Sequence, residues 1–440
     1  MSDRPVVVIG AGPTGLAAAA HLRSRGLKPL VLEAGSRAGA TVREWAHIRL
    51  FSPWRELTDP QAVALLGEHN WHAPDGDRYP TGGEWAEAYL QPLADALGRA
   101  VRYRARVTGV ARRGRDRLVD SGRDEAAFTV HLTTPTGQER IEASAVIDAS
   151  GTWNRPNPLG GDGLAALGES TGPVSYRVPD LRSPEVRQKY AGRHIAVVGT
   201  GASAMTALLG LAEIVEAKPT TSVTWLVRRR STANTFGGGD NDQLVERGAL
   251  GSRARAAVES GRIRTMTGFR TSALKRRDDG RVDLRSFDGQ RVEGVDDVIA
   301  LTGFRPDLSY LSEIRLDLDP VLEAPRALAP LIDPNVHSCG TVYPHGAKEL
   351  AQPESGFYLV GMKSYGRAPS FLTLTGYEQV RSVVAEIAGD HDSAARVELT
   401  LPESGVCGGA GQFDAAGPAA GGCCGTPSTE TIALGLTMAE

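Results

Sequence analysis

The chain has 440 residues, 41% hydrophobic and 23% charged, with a formal net charge of -3. That length predicts two or three domains, and the near-neutral balance offers no electrostatic footing for nucleic acid or a membrane surface. No apolar run is long enough to span a bilayer, a strand is expected almost at once, and 4 cysteines do not make a disulfide framework, so the expected address is the cytoplasm.

The first unit is PVVVIGAGPTGLAAAAHLRSRGLKPLVLEAG, residues 5–35. An apolar β-rich run, a glycine turn, a small-residue helix and a second strand follow in order. Gly10, Gly12 and Gly15 form GxGxxG directly after the strand Val6–Ile9. Gly10 permits the tight turn, Gly12 lets a diphosphate approach the backbone, and Gly15 lets helix and strand pack closely. The helix N-terminus offers N–H groups and partial positive charge to that diphosphate. Glu33 ends the next strand, where a carboxylate accepts hydrogen bonds from adenosine ribose hydroxyls. Thr14 in the turn and Ala34 beside the acid complete this cofactor set. An acid there favours a free 2′-hydroxyl, hence FAD or NAD over NADP.

Next, VRYRARVTGVARR and AAFTVHLTTPTG alternate as antiparallel strands do, with Val107 a further candidate cofactor contact. ASAVIDASG, residues 143–151, reads as a buried strand. The turns IDASGTWNRP and ALTGFRPD, with Ala149, Gly151 and Gly303, look like the paired turns of two-dinucleotide flavoproteins. There they mark where the chain leaves and re-enters the FAD domain, which decides for FAD.

The same pattern recurs in HIAVVGTGASAMTALLGLAEIVEAKPTTSVTWLVRRR, residues 194–230. Gly199 and Gly201 open the turn, Ala204 replaces the third glycine, and Ser203 offers a hydroxyl to a phosphate. The strand Ser222–Val227 ends in Arg228 and Arg229 where an acid would stand. A guanidinium fork suits a 2′-phosphate, so this site is expected to take NADPH.

GFYLVGMKSYG then reads as a strand, and FLTLTGYEQVRSVVAEIAG as a helix starting near Ser370–Phe371 with its N-terminus toward the flavin. The expected fold is α/β: a two-dinucleotide-binding-domain flavoprotein with nested Rossmann-like domains, three-layer, with parallel sheets. The expected division is an FAD domain at 1–153 and 300–398, an inserted NADPH domain at 154–299, and a Gly/Ala-rich tail at 399–440.

Residues 1 to about 390 resemble the flavin-dependent monooxygenases of the FMO and Baeyer–Villiger type. GATVREW is similar to that family's G-G-x-W stretch under the flavin, which adds Trp45 to the cofactor set. RLFSPW, DQLVERGALG, LIDPNVHSCGTVYPHG and GMKSYGRAPSFLTLTGYEQVRS resemble a bacterial branch commonly encoded in arsenic-resistance operons. The resemblance implies an NADPH-consuming, FAD-dependent monooxygenase acting on O2 and a small molecule, with a trivalent arsenical as candidate substrate and a homodimer as candidate assembly. The family's F-x-G-x-x-x-H signature is replaced by STGPVSYRVPDLRSP, and no catalytic side chain is assigned.

The alternative is a pyridine-nucleotide-dependent flavin reductase or disulfide-reductase-like oxidoreductase with another small-molecule acceptor. Its redox cysteine pair finds no place at 36–60, at 130–160 or in the second glycine unit, and no C-x-x-C occurs. Cys339, between His337 and His345, reads as a structural thiol, because the set falls short of four ligands. In the tail, Cys407, Cys423 and Cys424 are candidate thiols for trivalent arsenic, a soft ion that favours sulfur.

Overall fold

Val6, Val7, Val8 and Ile9 are consecutive, β-branched and all buried, the pattern of a strand covered on both faces. They form β1 (Val6–Ile9). A computed structural model describes residues 4–399 apart from 234, 240, 241, 243, 336–344, 369 and 370. After β1 come α1 (Pro13–Ser24), β2 (Pro29–Leu32), α2 (Ala40–Glu44) and β3 (Val101–Arg102). Pro13 presets the first turn of α1, four consecutive alanines continue it, and Gly26 at φ 71° lets the chain turn back. Strands β4 (Arg106–Arg112), β5 (Phe128–Thr134) and β6 (Gly137–Ala143) form an antiparallel sheet, and β7 (Ala145–Asp148) returns beside β1.

The second unit opens with β8 (Val174–Ser175) and β9 (His194–Val198), followed by α3 (Ala202–Ala217), β10 (Ser222–Val227), α4 (Val245–Glu259) and β11 (Arg264–Thr267). An antiparallel trio follows, β12 (Thr271–Arg276), β13 (Val282–Ser286) and β14 (Arg291–Val295), before β15 (Asp297–Ala300) closes the unit. β16 (Phe357–Leu359) and α5 (Thr373–Ile387) belong again to the first.

Two five-stranded parallel sheets result, ordered β16-β7-β1-β2-β3 and β11-β10-β9-β15-β8. Val6 and Val8 face one way, into a cluster with α1 and α5, while Val7 and Ile9 face Val110, Phe128 and Val130 of the antiparallel sheet. The second unit repeats this: Ile195 and Val197 face α3 and α4, and Ala196 and Val198 face Leu274 and Leu284. Period-two side-chain direction thus builds the same three layers twice, antiparallel sheet, parallel sheet and helices. These are two nested Rossmann-like dinucleotide-binding domains with parallel sheets. Among the described residues no helix is long and apolar enough to cross a membrane.

Candidate functional site

Both glycine turns lie at the carboxyl ends of the parallel strands, where α/β sheets open a crevice. Gly10 has φ +100°, and a Cβ there would stand 3.0 Å from Ala149 O. At Gly15 a Cβ would fall 2.0 Å from Gly10 O, so that glycine is required by contact between α1 and β1. Gly12 differs: its backbone is extended, and a Cβ would meet no protein atom within 4 Å. That open side is the cradle a diphosphate requires.

Glu33 is nearly buried at the end of β2. Its Oε2 accepts from Ala11 N at 2.8 Å and its Oε1 from Gly35 N at 2.6 Å. These bonds fix both oxygens, and each keeps a lone pair for a ribose hydroxyl. Ala34 is exposed beside it. Ala105 N donates to Glu33 O at 2.8 Å, so the run into β4 passes along the acid and carries Val107 close by, paired with Leu132. Trp45, just after α2, is half-buried with its ring where a Cβ on Gly82 would come within 2.5 Å.

Thr14 stands buried on the first turn of α1. Its Oγ1 lies 2.8 Å from the Cβ positions of both Gly361 and Gly376, wedged between β16's exit and α5. Helix α5 starts at Thr373, slightly later than the sequence pattern predicts, after Leu372 in extended backbone. Gln379 on α5 holds the exit of β16 by accepting from Gly361 N at 2.7 Å.

Sequence reasoning missed a buried polar group beneath this turn. Lys363 Nζ donates to Asp148 Oδ2 at 2.7 Å, to Ser150 Oγ at 3.0 Å and to Tyr310 OH at 2.5 Å. Burial and the Asp148 charge push the Tyr310 hydroxyl well above its ordinary value, so it stays a donor, and it bonds Asp148 at 2.6 Å. The available signal was a lysine ending an apolar run and an aspartate ending a buried strand.

In the second turn Gly199 has φ +119° and would place a Cβ 2.2 Å from Leu301 O, while a Cβ on Gly201 meets nothing within 4 Å. The two turns therefore share one division of labour, one glycine for strand contact and one for open space. Trp225 Nε1 donates to Gly199 O at 2.8 Å, and Ser203 is exposed on the first turn of α3. Desolvation holds the Arg228 guanidinium below its usual value, and Arg229 and Arg270 push the same way. Arg270, from the segment before β12, was not anticipated. Crowded guanidinium groups raise the local affinity for an anion.

Gly151 and Gly303 lie on the two crossovers between the sheets, with φ +69° and +86°. Gly303 adjoins a short bridge pairing Pro156 with Phe304, and Gly151 follows Ala149 and Ser150, which approach the Cβ position of Gly10 to 3.0 and 3.1 Å. Cys339, Cys407, Cys423 and Cys424 all lie outside the described residues.

The family model described as pyridine nucleotide-disulphide oxidoreductase matches residues 7–327. The chain is 29% identical over 210 residues to a ferredoxin–NADP reductase of Ignicoccus hospitalis, covering 48% of this chain and 53% of that protein. It is 30% identical over 220 residues to the indole-3-pyruvate monooxygenase YUCCA1 of Oryza sativa subsp. japonica, covering 47% and 44%. The chain spans between a quarter and about half of the length of the curated relatives it matches. In structure it is similar to the bacillithiol disulfide reductase of Bacillus cereus, with TM-score 0.63 and 21% identity over 88% of this chain and 99% of that one.

Proposed function

The chain belongs to the pyridine nucleotide-disulphide oxidoreductase family, and on that premise we propose that it oxidises NADPH and passes the electrons through FAD to a small-molecule acceptor. FAD, when bound, accepts a hydride from the nicotinamide and hands the electron pair on. The observation that carries the reading is the contrast between two like units. The first ends β2 in Glu33, pinned by Ala11 N and Gly35 N, and the second ends β10 in Arg228 and Arg229. A carboxylate orients a ribose with free hydroxyls and repels a 2′-phosphate, and clustered guanidinium groups do the reverse.

The remaining residues supply shape. Gly12 and Gly201 leave room for the two diphosphates, and the N-terminus of α5 adds partial positive charge where the first unit's strands end. The sequence holds no cysteine before Cys339, so neither glycine unit carries a thiol pair. The acceptor is therefore taken to be a diffusible molecule and not a disulfide of the protein's own core. Oxygen insertion is the second reading, supported by the likeness to the rice monooxygenase. A trivalent arsenical is the candidate substrate that the tail thiols Cys407, Cys423 and Cys424 suggest.

The test is anaerobic mixing of the FAD-loaded protein with NADPH, followed by acceptors. Bleaching of the flavin absorbance by NADPH is expected. Reoxidation is then compared for O2, a disulfide and a quinone, with hydrogen peroxide and oxygenated product, arsenate from added arsenite included, measured for O2. A flavin that NADPH leaves fully oxidised would end the proposal.

A further inference from the structure

The two crossovers between the sheets leave through one seam. Trp153 on the first stacks against Phe304 on the second, with ring centroids 4.7 Å apart and planes at 29°. Arg177, two residues beyond β8, lies over both rings, 4.2 Å from the Trp153 centroid and 5.4 Å from that of Phe304. Its Nη2 donates to Trp153 O at 3.1 Å. Its Nε stands 3.4 Å from Glu44 Oε2, at the end of α2, and the same oxygen accepts from Trp153 Nε1 at 2.8 Å. One guanidinium of the second unit thus holds both crossovers and a carboxylate of the first.

Neighbouring contacts run along the same seam. Arg182 donates to His47 O, and Phe51 of the first unit packs into the helix-side cluster of the second. Asn157 N donates to Gly303 O at 2.9 Å and Thr302 Oγ1 to Asn157 O at 2.6 Å, so the crossovers are tied to each other. Against these stands one cost: Arg177 Nη1 is buried with no acceptor among the described residues. The contact joins cation, aromatic faces and carboxylate, which makes it directional. The buried N–H lowers the cost of opening it.

We propose that Arg177 is a positioning residue for hydride transfer: clasping Trp153 and Phe304 against Glu44, it sets the angle between the two dinucleotide units. The inference rests on the oxidoreductase reading. Arg177 belongs to neither glycine turn, so its removal leaves both nucleotides bound and changes how often the nicotinamide and flavin approach correctly. Misplacement by about 1 Å between reacting groups is enough to cost on the order of a hundredfold in rate.

The experiment compares wild type with Arg177→Gln, and with Glu44→Gln, an exposed position whose change spares folding. Four quantities are read: FAD content, NADP+ dissociation constant, limiting rate of anaerobic flavin reduction at saturating NADPH, and acrylamide quenching of Trp153, isolated by difference from Trp153→Phe. Expected are unchanged FAD content and NADP+ affinity, stronger quenching of Trp153, and a limiting rate lower by about tenfold or more. Arg177→Lys, which keeps the charge and loses the planar fork, is expected to fall between. A limiting rate equal to wild type in both variants, or a loss that tracks nucleotide affinity, overturns the proposal. If NADPH fails to reduce wild type, the oxidoreductase reading falls and this one with it. If wild type is reduced and the variants match it, the clasp alone falls.

Discussion

Lys363 Nζ lies 2.7 Å from Asp148 Oδ2, and both side chains are fully buried. The pair joins the end of β7 to the turn after β16, the two strands that flank each other at the edge of the first sheet. Removing one partner of a buried pair strands the other charge, at a cost of about 3–5 kcal/mol. Lys363→Met is expected to lose that much in urea unfolding. Adding Asp148→Asn is expected to restore part of it. A double variant as unstable as the sum of the singles would show that the two groups act independently.

The two glycines of the first turn are expected to fail differently. Gly12→Val adds a side chain where no protein atom stands within 4 Å, so the chain folds but purifies without colour. Gly15→Ala forces a Cβ to 2.0 Å from Gly10 O and is expected to lower the melting temperature even without cofactor. Circular dichroism and flavin content together separate these outcomes. Equal loss of fold in both would contradict the cradle at Gly12.

Arg228→Ala with Arg229→Ala is expected to lower the NADPH preference over NADH by about one to two decades, from roughly 1.5–3 kcal/mol for a charged hydrogen bond. The measurement is the ratio of kcat/KM for the two nucleotides. NADH values are expected to stay nearly constant. A ratio untouched by the double change would remove these residues from the 2′-phosphate site.

Glu354 is almost fully buried and accepts from Arg112 Nε at 2.7 Å and from Arg123 Nη2 at 2.5 Å. Burial raises its carboxyl, but the bonds from Arg123 and Arg112 outweigh it and hold the group below its ordinary value. A depressed carboxylate contributes stability above the unfolded pKa of about 4.3, and that contribution disappears as pH falls through the lower folded value. Glu354→Gln is therefore expected to destabilise the protein at neutral pH and to flatten the acid limb of its stability curve. Unfolding midpoints from neutral pH down to about 3 give the comparison. An unchanged acid limb would place the acid sensitivity elsewhere.

The glycine turns, their flanking strands, Glu33 and the arginines after β10 were legible because each depends on neighbours in sequence. A turn that needs φ above zero, and a strand buried on both faces, write themselves into consecutive residues, as in VVVIGAG and HIAVVGTG. The duplicated unit followed from the same local rules. What folding alone decided are the meetings of distant residues: Lys363 with Asp148, Arg177 with Trp153, Phe304 and Glu44, Arg270 with Arg228, and Thr14 wedged between Gly361 and Gly376. None has a periodicity or a spacing, because a salt bridge or an aromatic stack asks only that two surfaces arrive together. Which surfaces arrive is set when each parallel sheet buries one face under helices and the other under three antiparallel strands, and both crossovers are drawn through a single seam.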